Sequence, residues 1–96
     1  ATVVYVDQFG NAVTNLSAKE VLKHVGYGDE LTVDGRTVPF ERTYAAVKRG
    51  KVLALVGSHG NLEFAAREAS GAESLELSAG DEVKVSVADQ KDTKEN

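Results

Sequence analysis

The chain has 96 residues, 42% of them apolar, with one proline and a formal charge of −4, which is the composition of a single small soluble globular domain. With no cysteine and two widely separated histidines, His24 and His59, it excludes disulfides, thiol nucleophiles, iron–sulfur clusters and a histidine-based zinc site, so no metal ligands are expected. The balance of 11 basic against 15 acidic residues argues against nucleic acid as a partner, and the longest apolar run, five residues at 52–56, is far short of the roughly 20 that span a bilayer.

The first residues enter a strand directly, with no basic start and no apolar signal core, so the chain is expected to begin at a domain boundary or after processing. Residues 2–6 (TVVYV) are β-branched and aromatic, residues 7–11 (DQFGN) are turn formers, and residues 12–14 resume an extended pattern. Ser17 followed three positions later by Glu20 is a capping-box signature, which predicts a helix of about two turns carrying Val21, Leu22 and Val25 and stopping at Gly26. His24 at its end suits the helix dipole and the last carbonyls. Asp34-Gly35 between two alternating runs predicts a hairpin with a type I′ turn, because both central residues of that turn need positive φ. Pro39 restricts the second hairpin strand to a sheet edge or a strand end.

Residues 40–47 (FERTYAAV) are ambiguous between strand and irregular chain, and Lys48, Arg49 and Lys51 form a basic turn. That cluster reads either as a charged turn that keeps its neighbour in solution or as an anion patch. The run 52–56 (VLALV) has no polar face and is expected to be a buried strand at the centre of the core. After a Gly-Ser-His-Gly turn, residues 61–65 alternate with Leu62 and Phe64 on one face. Residues 70–77 can form a helical turn, and residues 82–87 (EVKVSV) predict a period-two strand with Val83, Val85 and Val87 inward. The fold class is therefore mainly β, a small barrel or sandwich of about seven short strands with one or two short helices over residues 1–87. Residues 88–96 (ADQKDTKEN) are polar and aperiodic and are expected to be a disordered tail.

The candidate chemistry lies in the turns. Asp7, Phe9 and Asn11, with Thr14 and Asn15 beyond, offer a carboxylate, a ring and amides able to read a heteroaromatic edge, although Asp and Asn in turns commonly bond their own backbone instead. In the second turn, Gly57 and Gly60 allow close backbone approach, while Ser58, the His59 ring and nearby N–H groups could receive an anionic carboxylate. The same residues equally make an ordinary hairpin turn, and neither a nucleophile nor an orienting carboxylate beside His59 is evident. Tyr44 could stack on a base or fill the core.

Taken together, Val6-Asp7-Gln8-Phe9-Gly10-Asn11-Ala12-Val13-Thr14-Asn15, Val38-Pro39-Phe40 with Thr43-Tyr44, Gly57-Ser58-His59-Gly60-Asn61-Leu62-Glu63 and Gly80-Asp81-Glu82-Val83 resemble the C-terminal domain of the S-adenosylmethionine hydroxide adenosyltransferases, relatives of the fluorinating and chlorinating enzymes. The resemblance implies a barrel-like β module that binds substrate while a separate N-terminal α/β domain carries the catalytic residues. It implies a cytoplasmic homotrimer with S-adenosylmethionine held between subunits as substrate, and no further cofactor. In this reading Asp7 contacts the methionine moiety, Asn11 hydrogen-bonds the adenine, Ser58 and His59 hold the methionine carboxylate, and Phe9 and Tyr44 pack on the nucleoside. The turn at Ala66, Arg67 and Glu68 presents backbone to the adenine edge. Position 59 is His where the halogenating members have Arg and many hydrolases a small residue. The alternative class is a non-enzymatic protein-binding or oligomerisation module that uses the same loops.

Overall fold

The computed structural model describes residues 1–88. Through them run β1 (Val3–Val6), β2 (Ala12–Ser17), α1 (Ala18–Val21), β3 (Glu30–Val33), β4 (Arg36–Pro39), β5 (Val52–Val56), β6 (Asn61–Ala66), α2 (Gly71–Leu75) and β7 (Val85–Val87), with a single 3-10 turn at Tyr44–Ala46. The strands form two antiparallel sheets, one in the order β1-β2-β6-β5 and one in the order β4-β3-β7. The chain is mainly β as expected, but it is not a closed barrel. Between the described sheets there are only the isolated bridges Phe40–Ala54 and Thr2–Glu82, and two single bridges cannot continue a ladder around a ring. From residue 89 onward the expected tail lies outside the described residues. Ala88 itself donates its N–H to the Glu30 carbonyl at 3.1 Å, alongside the β3–β7 ladder.

Local chemistry explains several boundaries. Asp34 and Gly35 have φ of 48° and 87°, as a type I′ turn demands, and they join β3 to β4 in unbroken register. Pro39, which lacks an N–H, ends β4 on the sheet edge. The Ser17 side chain caps α1 by accepting from Glu20 N–H at 3.2 Å. Hydrogen bonds from Leu22 N–H to the Ala18 carbonyl and from Val25 N–H to the Val21 carbonyl carry the helical path toward Gly26. Ser70 caps α2 in the same way.

The main core fills the space between the sheets. Val3, Ala12, Leu62 and Phe64 come from the first sheet and Leu31, Val33 and Val38 from the second, with Val21, Ala72 and Leu75 from the helices and Val25 from the turns that follow α1. Phe40 and Phe64 are fully enclosed, and each contributes about 2–3 kcal/mol relative to an exposed ring. Phe40 stacks on Tyr27 at 4.8 Å, and the Arg42 guanidinium lies 4.1 Å from the centre of the Tyr27 ring. This anchors the start of the ambiguous segment, which proves irregular until its 3-10 turn.

Two expectations about burial are corrected. Strand β5 lies at a sheet edge and not at the centre of the core; it is buried because Phe40 and Glu41 run along it and because both its faces are covered. Ala54 faces the main core, while Leu53 and Leu55 join Ala65 and Val47 in a second apolar cluster on the opposite face of the sheet. In the last strand Val83 is buried but Val85 only half-buried, and Val87 is exposed, because β7 is an edge strand of its sheet and Val85 and Val87 border an open groove beside Leu31.

Candidate functional site

The outer face of the four-stranded sheet, turned away from the main core, is assembled by strand alternation. Tyr5 pairs with Val13, Val13 with Glu63 and Glu63 with Leu55, so these four side chains form one row across it. One end of this face is closed by three segments distant in sequence: the turn after β1, the 3-10 segment, and the turn after β6. Between them lies an open groove of about 870 Å³. Phe9 and Asn11 line it from the first segment, Thr43, Tyr44 and Ala45 from the second, and residues 66–69 from the third.

The first segment is held from within. Asp7 Oδ1 accepts from the N–H groups of both Phe9 and Asn11 at 2.9 Å, so this carboxylate bonds its own backbone and shapes the loop. Gly10 has φ of 83°, and a Cβ there would overlap Ser70, whose hydroxyl donates to the Gly10 carbonyl at 3.2 Å. With its loop pinned between β2 and α2, Phe9 remains 69% exposed at the groove mouth, whereas Asn11 is buried at its base. The Asn11 amide nitrogen donates to the Tyr44 hydroxyl at 3.4 Å, linking the first segment to the second. Thr14 and Asn15, beyond the turn, serve the sheet: the Thr14 hydroxyl donates to the Leu62 carbonyl at 2.8 Å, and Asn15 Oδ1 accepts from Thr2 N–H at 2.9 Å.

Arg67 and Glu68 border the groove, but their side chains also brace its wall. Arg67 Nη1 donates to the Val47 carbonyl at 2.9 Å, and Glu68 pairs with Arg49 at 3.0 Å. The backbone of Glu68 sits at φ 58°, the left-handed region, which turns the chain sharply after β6. Arg49 is thereby engaged in a turn-to-turn contact.

Ser58 and His59 are exposed and do not line this groove; they project from the turn between β5 and β6 at the other end of the sheet. Five sequence-selected residues, Phe9, Asn11, Tyr44, Arg67 and Glu68, therefore converge, Asp7 supports two of them, and Ser58 and His59 stand apart. The group that sequence reasoning missed is Glu63. It is only 9% exposed, and a Cβ built on Gly57 would overlap its carboxylate. Burial pushes the Glu63 carboxyl above its ordinary value of 4.5, the Asp7 charge adds to the rise, and His59 partly opposes it. Alternation within β6 assigns Glu63 to the solvent side, but the unbroken apolar run of β5 already implied that this face is covered. Among the described residues no cluster of three or more acidic, His or Cys side chains could hold a metal ion, and no helix is long and apolar enough to cross a membrane.

The family model of the SAM hydroxide adenosyltransferase C-terminal domain matches residues 1–84. The chain belongs to this family. Over 78 residues it is 40% identical to the (R)-S-adenosyl-L-methionine hydrolase of Thermus thermophilus, a match covering 81% of this chain and 28% of that protein. A crystal structure of an uncharacterized conserved protein from Thermotoga maritima superposes with a TM-score of 0.82 at 30% identity, over 88% of this chain and 34% of the other. Another, of a conserved hypothetical protein from Thermus thermophilus, gives 0.70 at 35% identity, over 90% of this chain and 33% of the other. This C-terminal domain thus spans about a third of the length of the proteins it matches.

Proposed function

We propose that this domain is the substrate-positioning part of an S-adenosylmethionine hydrolase, working in the cytoplasm with an N-terminal α/β catalytic domain. The observation that carries the reading is the convergence of Phe9, Asn11, Tyr44 and the 66–69 turn around one groove, with ring faces, an amide and backbone suited to a purine nucleoside. The adenosine moiety lies there, Asn11 hydrogen-bonds the adenine, and the methionine moiety extends along the sheet toward Asp7, Ser58 and His59. Hydroxide attacks the ribose 5′ carbon, the carbon–sulfur bond breaks, and both its electrons leave with sulfur as neutral methionine, giving adenosine. The sulfonium is its own leaving group, so no cofactor is required. The domain contributes orientation, which lowers the barrier by restricting the substrate to a reactive pose.

The edge strand β1 supports a shared site. Val4, Tyr5 and Val6 are 48%, 45% and 37% exposed, and the apolar strip they form runs toward Phe9. Burial of that strip against an α/β catalytic domain, within a homotrimer whose subunits share each pocket, accounts for it. It is also the feature that favours the second reading, a module serving only in protein contact.

Calorimetry decides between the two. The first reading expects S-adenosylmethionine and adenosine to bind the chain, Asn11→Ala to weaken both about tenfold, and no adenosine to form from S-adenosylmethionine without the catalytic domain. Absence of any nucleoside binding would favour the contact module, and turnover by the isolated chain would overturn the division of labour.

A further inference from the structure

Strand β7 has one partner and one free edge. Its ladder with β3 joins Lys84 to Asp34 and Ala88 to Glu30 by backbone hydrogen bonds, with Ser86 opposite Thr32 between them. In an antiparallel ladder bonded positions alternate with unbonded ones, so the N–H and C=O groups of Val85 and Val87 point away from β3, toward the outer edge. Among the described residues no strand lies beyond that edge. The Val85 side chain is half-buried and that of Val87 exposed, and with Leu16, Val21 and Leu31 they border a groove of about 190 Å³. Unpaired backbone beside an open apolar groove accepts an added strand, which bonds the edge and sets alternate side chains into the groove.

The first residues of the chain supply the register of that strand. Ala1 and Val83 exchange both backbone hydrogen bonds, at 2.9 and 2.7 Å, Thr2 stands opposite Glu82, and Val3 N–H donates to the Asp81 carbonyl at 2.9 Å. Residues 1–3 therefore run antiparallel to 81–83, on the same edge that Val85 and Val87 leave free. Polypeptide continuing backward from Ala1 in this register meets Val85 two residues earlier and Val87 four residues earlier. Directly opposed residues share a face of the sheet, so side chains at those two positions lie over the groove. We infer that the segment leading from the N-terminal α/β domain into Ala1 is a strand paired with β7, apolar at the positions two and four before Ala1. The inference rests on the reading that such a domain precedes this one, and it states how the two are joined. Strand β1 continues from this added strand to the loop of Asp7, Phe9 and Asn11. The first wall of the ligand groove is thereby held in a set direction from the catalytic domain and does not hang on a loose tether.

Residue-resolved amide hydrogen exchange on the full-length protein tests this, with S-adenosylmethionine binding measured on the same samples. The N–H groups of Val85 and Val87 are expected to exchange at least about tenfold more slowly than unpaired amides, at any protein concentration. A proline placed two residues before Ala1 removes the N–H that donates to the Val85 carbonyl and loosens the pair, so exchange at Val85 should rise about tenfold. A proline placed three residues before Ala1, where the N–H points away from β7, should leave Val85 protected. Simple covering of the edge by another domain would not produce that contrast. Unchanged exchange at β5 and β6 verifies that each variant is folded. Rapid exchange at Val85 and Val87 in the wild-type protein overturns the inference, as do equal effects of the two prolines. Protection that is lost on dilution overturns it in favour of a second copy of the chain on this edge. Each of these outcomes leaves the positioning function standing, which falls instead if the full-length protein binds no S-adenosylmethionine.

Discussion

Arg67 donates from Nη1 to the carbonyl of Val47 at 2.9 Å, and this bond ties the end of the 3-10 turn bearing Tyr44 to the end of β6. The guanidinium thereby acts on the groove through another residue: it holds the wall against which a nucleoside would lie. Hydrogen bonds from charged groups contribute about 1.5–3 kcal/mol when part-buried. Arg67→Ala is expected to weaken adenosine binding about five- to twentyfold and to raise amide hydrogen exchange at residues 44–47, with little change at β3 or β4. Lys at this position restores part of the affinity, since an ammonium can reach the carbonyl but cannot reproduce the planar fork. Unchanged exchange in the alanine variant would remove Arg67 from this role.

A second prediction concerns Asp7. Because Oδ1 accepts from two backbone N–H groups, Asp7→Ala leaves both donors without their partner and should lower stability by about 1–2 kcal/mol, or roughly 5–15 °C in thermal midpoint for a domain of this size. Asp7→Asn keeps an acceptor oxygen and loses less than half of that. Equal losses in the two variants, measured by thermal denaturation, would mean that the charge and not the turn is what matters.

Glu63 gives a pH-dependent prediction. Its carboxyl binds a proton more tightly in the folded chain than in the unfolded one, so its contribution to stability is full below the ordinary value of 4.5 and is lost as pH rises through the folded-state value. Glu63→Gln escapes this loss. The variant is expected to melt at a higher temperature than wild type at pH 7, with the difference shrinking toward pH 4. A difference that grows on acidification would contradict the sign.

Packing gives a further prediction at Gly71. A Cβ there would come within 2.6 and 2.7 Å of the Ala65 backbone, where α2 lies directly on β6. The neighbour is main chain and cannot swing aside, so Gly71→Ala should cost about 2–3 kcal/mol. Thermal melting reads this as a fall of about 10 °C or more, while Gly28→Ala, which has open space but a φ of 98°, should lose only the smaller penalty of its backbone conformation.

What could be read from the sequence follows the range of the interactions involved. The hairpin at Asp34-Gly35 and the helix cap at Ser17 depend on neighbours within four positions, and both formed as expected. Residues 7–11 were recognised as candidates because turn chemistry leaves a local signature, residues 66–68 only through the family resemblance, and the structure brings Phe9, Asn11, Arg67 and Glu68 to one groove. The course of β5 was not legible. Its apolar run indicated two covered faces, which a central position and an edge position under a crossing chain both satisfy. Alternation placed Val87 inward, but whether the face of an edge strand is covered is decided by what packs over it. Glu63 went unnoticed because a charged residue between Leu62 and Phe64 is what a half-exposed strand would carry. Its side of the sheet is closed because its cross-strand partners, Val13 and Leu55, are buried.

Strand β6 has both faces committed, Leu62 and Phe64 to the core between the sheets, Glu63 and Ala65 to the face bearing the groove. A change in the first pair threatens folding, and a change in the second disturbs the surface on which a ligand would rest. The surrounding loops carry no such double commitment, so they are where ligand preference can be retuned most freely without losing the fold. Engineering a new specificity should begin at residues 8–9, 43–47 and 67–69, and libraries spread along β6 should return mostly unfolded or inactive chains.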